Sequence, residues 1–369
     1  MAKRAYIGIN GVARKIKKGY VGIDDVARKI KKAYIGIGGI ARPILGSGEL
    51  FYYGTITPLS VARSDLAATT VGNYALFAGG NSGGNNSIFN ATVDAYDASL
   101  TRTTPTELSV ARYALAATTV GGYALFGGGR NSGSVGTVDA YDTSLTRTTT
   151  KLDMSYGAHY IAATTVGNYA LFGGGYVSST VTSDMYANDT SLTRTTTGLS
   201  VARSSLAATT VGNYALFGGG HNGSSINPVD AYDTSLTRTT PTALSVARYA
   251  LAATTVGDYA LFGGGTNVSL TGAVDAYDTS LTRTTPTALS VARYLLAATT
   301  VGNYALFGGG HGGGATGTVD AYDASLTRTI PTELSVARYL LAATAVGNYA
   351  LFGGGYDGYY SATVEAYAV

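Results

Sequence analysis

The most regular feature of the sequence is a hydrophobic–polar pattern that returns along residues 47–369. In one copy the alternating run LAATTV is followed by a two-residue turn and by the apolar run YALF, which ends in glycines. Period-two alternation and short apolar runs between glycines are typical of β-strands. The runs TVDAYD and TRTTPT complete the copy. Each copy predicts four short antiparallel strands, named A (LAATTV), B (YALFGGG), C (TVDAYD) and D (TRTTPT).

Seven copies of the Tyr-Ala-Leu-Phe run follow one another at spacings of 45 to 49 residues. They begin at Tyr74, Tyr123, Tyr169, Tyr214, Tyr259, Tyr304 and Tyr349. Four strands at this period predict the blades of a β-propeller. The last copy ends at Val369, before a strand D, so the segment Leu50–Thr57 is predicted to supply that strand. Such closure would remove an unpaired sheet edge.

The first 46 residues carry a different repeat, with a period of fourteen residues from Tyr6 to Tyr20 and Tyr34. Turn-forming pairs lie between apolar β-formers in the three units, which indicates two-residue hairpins: Asn10-Gly11, Asp24-Asp25 and Gly38-Gly39. Pairing across the first turn would put Ile9 opposite Val12. The alternative is an amphipathic helix over DDVARKIKK, with a narrow apolar stripe.

The predicted architecture is all-β, with a basic β-hairpin module in residues 1–46 and a seven-bladed propeller in residues 47–369. Because such hairpins bury too little surface alone, we expect the hairpin module to attach the protein to a larger assembly or to join copies of the chain. The candidate docking residues are Ile7, Ile9, Val12, Ile16, Ile23, Val26 and Ile37.

Charge divides the chain at the same boundary. Residues 1–46 hold eleven Lys and Arg against two Asp, about +9, whereas the rest holds fourteen against twenty acids, about −6. Opposite charges indicate separate roles. Lysine clusters could bind a polyanion, but docking to a protein is the preferred interpretation and nucleic acid is disfavoured.

The propeller repeat resembles kelch repeats. The residues that carry the likeness are an arginine before strand A (Arg112), a glycine run ending strand B (Gly127-Gly128-Gly129) and the pair Tyr141-Asp142 ending strand C. A tryptophan usual in kelch strand D is replaced by Thr148. The hairpin module on a kelch-like body is also similar to proteins of phages and prophages of Gram-positive bacteria. That likeness implies that the protein is located in the virion. If the protein is not encoded by a phage, a cytoplasmic or released protein is expected.

The seven copies differ mainly in two connections that should lie on one rim. The B–C loops are NSGGNNSIFNA, RNSGSVG, YVSSTVTS, HNGSSINP, TNVSLTGA, HGGGATG and YDGYYSA. The D–A loops vary after their arginine, at Ser64-Asp65, Tyr113-Ala114, His159-Tyr160, Ser204-Ser205, Tyr249-Ala250, Tyr294-Leu295 and Tyr339-Leu340. Tyr, Ser, Gly and Asn predominate, as in antibody loops. Unconstrained drift is the alternative, but the C–D turn of the opposite rim is constant.

These loops supply the candidate ligand-binding residues, and the junction of blade 7 with the first loop is the preferred site. The aromatic candidates are Tyr113, His159, Tyr160, Tyr176, His221, Tyr249, Tyr294, His311, Tyr339, Tyr356, Tyr359 and Tyr360. Six arginines are added because kelch-like propellers can bind acidic ligands there: Arg63, Arg112, Arg203, Arg248, Arg293 and Arg338. The alternative, in which each arginine holds its neighbouring blade through carbonyls or the aspartate after the strand C tyrosine, is preferred for the arginines taken singly.

Recognisable catalytic chemistry is missing from the sequence. There is no cysteine and no HExxH motif, and the glycine runs lack the following helix that cradles phosphate. The three histidines lie on different blades, so no shared metal and no cofactor are expected. No signal peptide and no membrane-spanning segment are recognised.

We therefore expect a non-enzymatic recognition protein, associated with a phage virion or tail, whose variable rim binds a host-surface glycan or protein. A purely structural or decorating subunit without a ligand is the main alternative.

Overall fold

The computed structural model describes residues 48–83, 88–148 and 157–369, together with the backbone of six strands nearer the N-terminus. The described residues contain strands and turns and no helix. Seven four-stranded antiparallel sheets form the blades of a β-propeller, as predicted. Blade 1 begins at Ala67, and blade 7 ends with the closing strand Phe51–Ile56.

The strands of each blade follow the order A-B-C-D. Strand A comprises Ala67–Val71, Ala116–Val120, Ala162–Val166, Ala207–Val211, Ala252–Val256, Ala297–Val301 and Ala342–Val346 in blades 1 to 7. Strand B comprises Tyr74–Ala78, Tyr123–Gly127, Tyr169–Gly173, Tyr214–Gly218, Tyr259–Gly263, Tyr304–Gly308 and Tyr349–Gly353. Strand C comprises Val93–Asp97, Val138–Asp142, Asp184–Asp189, Val229–Tyr232, Val274–Tyr277, Val319–Asp323 and Val364–Ala368.

Strand D is shorter than predicted in most blades. It comprises Arg102–Thr103, Arg147–Thr148, Arg194–Gly198, Arg238–Thr239, Arg283–Thr284 and Arg328–Thr329 in blades 1 to 6. Blades 1, 4, 5 and 6 carry a proline two residues after the strand, as at Pro105, and proline cannot donate to the sheet. Blade 3 has Thr197 where those blades have proline, and its strand continues to Gly198.

The ring closes as the sequence predicts. Phe51–Ile56 pairs antiparallel with Val364–Ala368, so the N-terminal strand becomes the outermost strand of blade 7. The register is interrupted between Ala366 and Tyr367, where Tyr53 is the extra residue of a β-bulge. An alignment without gaps between the closing strand and the D strands of the other blades is therefore out of register by one residue beyond Tyr53.

The core lies between neighbouring blades. Between blades 1 and 2, for example, Leu76 and Val93 of one blade pack with Phe126 and Tyr141 of the next, and all four are fully buried. The A strands of adjacent blades pack against each other at the centre of the ring. Threonines join them through pairs such as Thr118 with Thr165 at 2.8 Å, which suits the crowded inner position.

The hairpin module has the predicted strands. They are Ala5–Ile9, Val12–Ile16, Tyr20–Ile23, Val26–Lys29, Tyr34–Ile37 and Ile40–Pro43, paired in three two-stranded sheets. Ile9 pairs with Val12 as expected, and the strand Val26–Lys29 contradicts the alternative helix. The predicted turn residues and the side chains of the docking candidates Ile7 to Ile37 lie outside the described residues. The boundary at residue 46 stays a prediction.

Candidate functional site

The two variable connections lie on the same rim of the propeller. In every blade the residue after the arginine position forms a β-bridge with the first residue of the B–C loop. The seven bridges are Ser64 with Asn81, Tyr113 with Arg130, His159 with Tyr176, Ser204 with His221, Tyr249 with Thr266, Tyr294 with His311, and Tyr339 with Tyr356. The residues that vary between the repeats therefore lie next to each other on one rim in every blade, and we call this rim the variable rim.

A chain of aromatic side chains crosses blades 6 and 7 on this rim. Ring centroids are 5.3 Å apart for Tyr294 and His311, 5.2 Å for His311 and Tyr339, and 5.7 Å for Tyr339 and Tyr356. Tyr360 continues the chain at 5.1 Å from Tyr356. All five residues are partly exposed. We name them the aromatic arc; it offers ring edges and faces to a ligand.

The arc ends at the junction of blades 7 and 1. Tyr360 Oη donates a hydrogen bond to the Gly83 carbonyl at 3.1 Å, so the blade 7 loop touches the long first loop. Tyr359, at the loop tip, is 83% exposed. The expected proximity of these tyrosines to residues 81–91 is therefore present, although residues 84–87 lie outside the described part.

Other aromatic candidates form smaller groups. His159 contacts Tyr160 and Tyr176 at centroid distances of 5.2 and 5.7 Å, and Tyr249 contacts His221 at 5.1 Å. Tyr113 stacks on Phe89 at 5.5 Å. The sequence comparison did not select Phe89, although it lies in the longest variable loop.

His159 is poorly placed to contact a ligand. It is buried, and its Nδ1 lies 3.1 Å from Ser134 Oγ. Burial, with a smaller contribution from Arg130, lowers the pKa of His159, so the ring is neutral at neutral pH. Among the described residues, no three His, Cys, Asp or Glu side chains come together to hold a metal ion.

The six candidate arginines are buried in the blades and do not reach the rim surface. Each is fully buried and pairs with a fully buried carboxylate at 2.6 to 2.8 Å. The pairs are Arg63–Asp94, Arg112–Asp139, Arg203–Asp230, Arg248–Asp275, Arg293–Asp320 and Arg338–Glu365. This geometry supports the scaffold alternative for the arginines, because no guanidinium is accessible to a ligand.

The partner carboxylate differs from the one expected. Arg63 bonds Asp94, the first acid of strand C, and the strand B carbonyl of Phe77. Asp94 also accepts from the Ser60 backbone N–H and lies 3.7 Å from the strand D residue Arg102. The pair thus fixes the D–A crossing to strands B and C of one blade.

The aspartate after the tyrosine has a separate role in the C–D turn. The Ser99 hydroxyl and the backbone N–H groups of Thr101 and Ser99 donate hydrogen bonds to Asp97 Oδ1, and these bonds lower the pKa of Asp97. Leu100 adopts a positive φ of 65° and is buried. These requirements explain the constant C–D turn structurally, so its constancy is no argument that the variable loops bind a target.

The glycine runs are also structural. A Cβ on Gly127 would lie 2.8 Å from the Phe172 ring of the next blade, and one on Gly129 would lie 2.8 Å from the Tyr113 carbonyl. Gly129 has a φ of +106°, which side chains rarely allow. The runs make room for the neighbouring blade and for the D–A loop.

A ring of backbone hydrogen bonds links the seven D–A loops at the centre of the variable rim. Each member donates its N–H to the carbonyl of the preceding member at 2.9 to 3.0 Å, and the ring closes from Asp65 to Leu340. Its members have positive φ values of 52° to 56° and are Asp65, Ala114, Tyr160, Ser205, Ala250, Leu295 and Leu340. Comparison of the seven repeats showed that these positions vary, but it did not single out Asp65 as a candidate ligand-binding residue.

In the part of the chain that the structure describes, no helix is long and apolar enough to cross a membrane. No family model matches the sequence, and no curated protein sequence matches it. A solved structure entitled "Structure of YjhT" is similar, with a TM-score of 0.55 at 12% identity over 84% of this chain and 96% of that one. At this identity the likeness shows the propeller fold alone. Since 718 solved chains match this structure, the fold does not determine the function.

Proposed function

We propose that this protein is a non-enzymatic recognition protein whose variable rim binds a surface glycan or protein through the aromatic arc. The observation that carries the proposal is the continuous, partly exposed run of Tyr294, His311, Tyr339, Tyr356 and Tyr360. Tyrosine provides rigid contact area at low entropy cost. The neighbouring first loop is rich in asparagine, whose amides suit sugar hydroxyls.

The hairpin module completes the proposal as an attachment element. Its basic charge contrasts with the acidic propeller, so it suits an acidic partner surface within a larger assembly or a second copy of the chain. The kelch-like repeats and the phage-like module support a virion or tail as that assembly, with a surface of a Gram-positive host as the target.

The repeats themselves supply conservative replacements for a test of the rim. Blade 5 has Ser269 and Leu270 at the loop positions of Tyr359 and Tyr360. We expect the double variant Tyr359→Ser, Tyr360→Leu to fold normally and to lose about 1–4 kcal/mol of binding free energy if these residues are anchors. Glycan arrays and binding to intact Gram-positive cells measure the effect.

The matched control is Val268→Ser, which alters the fully exposed tip of the blade 5 loop, away from the arc. It should leave binding unchanged. Exchange of all seven B–C loops for the glycine-rich version that begins at His311 should weaken binding more than the double variant does, because it removes Tyr356, Tyr359 and Tyr360 together. If the exchanged protein keeps every interaction of the native one, the loops have drifted and the structural-subunit alternative stands.

A further inference from the structure

A cavity lies at the centre of the variable rim, where the seven D–A loops meet. Its volume is ≈ 430 Å³, within the range of small-molecule sites. Every blade contributes one aliphatic side chain to its lining: Leu66, Leu115, Ile161, Leu206, Leu251, Leu296 and Leu341. Tyr160, Tyr249 and Tyr294 add aromatic surface. The cavity thus fits a compact ligand with a substantial apolar part.

The backbone around the cavity has little capacity to bind an anion. All seven ring members donate their N–H groups to one another, so the ring leaves no free N–H of the kind that forms anion-binding nests. Positive φ at non-glycine residues is costly, and such strained residues are found at ligand clamps. Polar selectivity in this cavity therefore falls to side chains.

Among the described residues that line the cavity, Asp65 is the single charged one. Its carboxylate has only a long contact, 3.5 Å, from the Ser64 hydroxyl. Desolvation raises the pKa of Asp65 to about 6, so the group is still mostly ionised at neutral pH but lacks a compensating cation. Tyr160 beside it stays a neutral hydroxyl, because burial and Asp65 raise its pKa to about 12.

We propose that this central cavity binds a small organic cation, an amine or ammonium group on an apolar or aromatic body, with Asp65 as its counter-ion. A protonated amine would supply the missing partner of the carboxylate, and the tyrosine faces would add cation–π attraction. The aliphatic lining would cover the body of the ligand. The cavity shares Tyr294 with the aromatic arc, but Asp65 lies outside the arc, and the proposal does not depend on the proposed recognition of a surface target.

Three probes of one shape and different charge test the proposal on the full chain. Tryptamine is a cation at neutral pH, tryptophol is neutral and indole-3-propionate is an anion. Isothermal titration and saturation-transfer NMR should show tryptamine binding at least tenfold more tightly than tryptophol, with no binding of the anion. Asp65→Asn, which keeps the shape and tolerates positive φ, should reduce tryptamine affinity at least tenfold and leave tryptophol unchanged.

The pseudo-symmetry of the ring provides a rescue variant. Ser205 occupies the same ring position in blade 4, so Ser205→Asp in the Asp65→Asn background should restore the preference for tryptamine. Asp357→Asn is the charge control, because it removes an exposed carboxylate of the same rim outside the cavity. Any one of three results would overturn the proposal: equal affinities for the three probes, no tryptamine binding at millimolar concentration, or an effect of Asp357→Asn equal to that of Asp65→Asn. Each of these results leaves the loop-exchange test of the rim unaffected.

Discussion

At the scale of single residues, the buried Arg–carboxylate pairs are the most demanding feature of the propeller. A fully buried guanidinium such as that of Arg248 is tolerated because Asp275 lies 2.7 Å away and the Phe262 carbonyl accepts a further hydrogen bond. Desolvation lowers the pKa of Arg248 while Asp275 opposes the change, and the arginine stays charged. Replacing one residue of such a pair should therefore destabilise the protein more than replacing both residues with apolar ones.

The variant Arg248→Met tests whether these arginines are scaffold or ligand residues. It leaves Asp275 buried without its main partner, so we expect a loss of about 3–5 kcal/mol in the free energy of unfolding. The midpoints of thermal and urea unfolding measure it, and binding at the rim should be unchanged at temperatures where the variant is folded.

Arg130→Met is the matched control, since Arg130 is exposed on the same rim. Its effect on stability should stay within about 0.5 kcal/mol. A result in which Arg248→Met keeps native stability but loses binding would reinstate the arginines as ligand residues.

At the scale of the element, blade 3 shows that the pair is gained or lost as a unit. Ala158 replaces its arginine, and Tyr186 occupies the strand C position that holds the paired carboxylate in the other blades. Both residues are buried, and Tyr186 lies in the core between blades 2 and 3. The repeat unit thus contains its own double substitution at a buried ion pair.

This predicts a strong coupling in blade 3. Ala158→Arg alone would bury an unpaired guanidinium and should destabilise the protein by several kcal/mol. Adding Tyr186→Asp should recover about 1–3 kcal/mol of that loss, measured as the interaction free energy of a double-mutant cycle. Additive effects of the two substitutions would show that the pair does not form in this blade.

Strands A, B and C could be predicted from sequence because their alternation repeats in every blade. The length of strand D could not, since it depends on whether a proline such as Pro105 or a threonine such as Thr197 follows the first paired residues. The bulge at Tyr53 is equally local: it adds one residue to a single strand and leaves the hydrophobic pattern unchanged.

The candidate site was predictable only in part. The variable loops and their shared rim follow from the repeats, but the burial of Arg112 depends on the packing of strands B and C over it. Comparison of the repeats did not identify Asp65 as a candidate, because its position in the cavity results from seven D–A loops that meet at one axis. The sequence of a single repeat does not show that its variable residue faces the corresponding residues of the six other repeats across a cavity.

At the scale of the whole molecule, the closing strand differs chemically from the six other D strands. In blade 1, Arg102 pairs with Tyr96 in the sheet and approaches Asp94. In blade 7, Tyr52 pairs with Tyr367 and donates its hydroxyl to Glu365 at 2.7 Å. The longer glutamate and the tyrosine together replace the aspartate and the strand D arginine of blades 1, 2, 4, 5 and 6.

Two truncations separate the closing strand from the hairpin module. Deletion of residues 1–46 should leave the melting temperature of the propeller unchanged while abolishing docking or self-association, measured by light scattering. Deletion of residues 1–58 also removes Phe51–Ile56, so it exposes the edge of Val364–Ala368 and leaves Glu365 without the Tyr52 hydroxyl. That protein should melt at a lower temperature, over a broader range, and aggregate through its free edge.

The full-length variant Tyr52→Phe refines this prediction, because it keeps the strand and removes one hydrogen bond to a buried carboxylate. It should cost about 1.5–3 kcal/mol, the range for hydrogen bonds to charged groups. The ordering expected is that the 1–46 deletion resembles the native protein, Tyr52→Phe is intermediate and the 1–58 deletion is least stable. If both truncations melt alike, the N-terminal strand does not hold the ring closed, and the stability of the propeller resides in the contacts between its A strands.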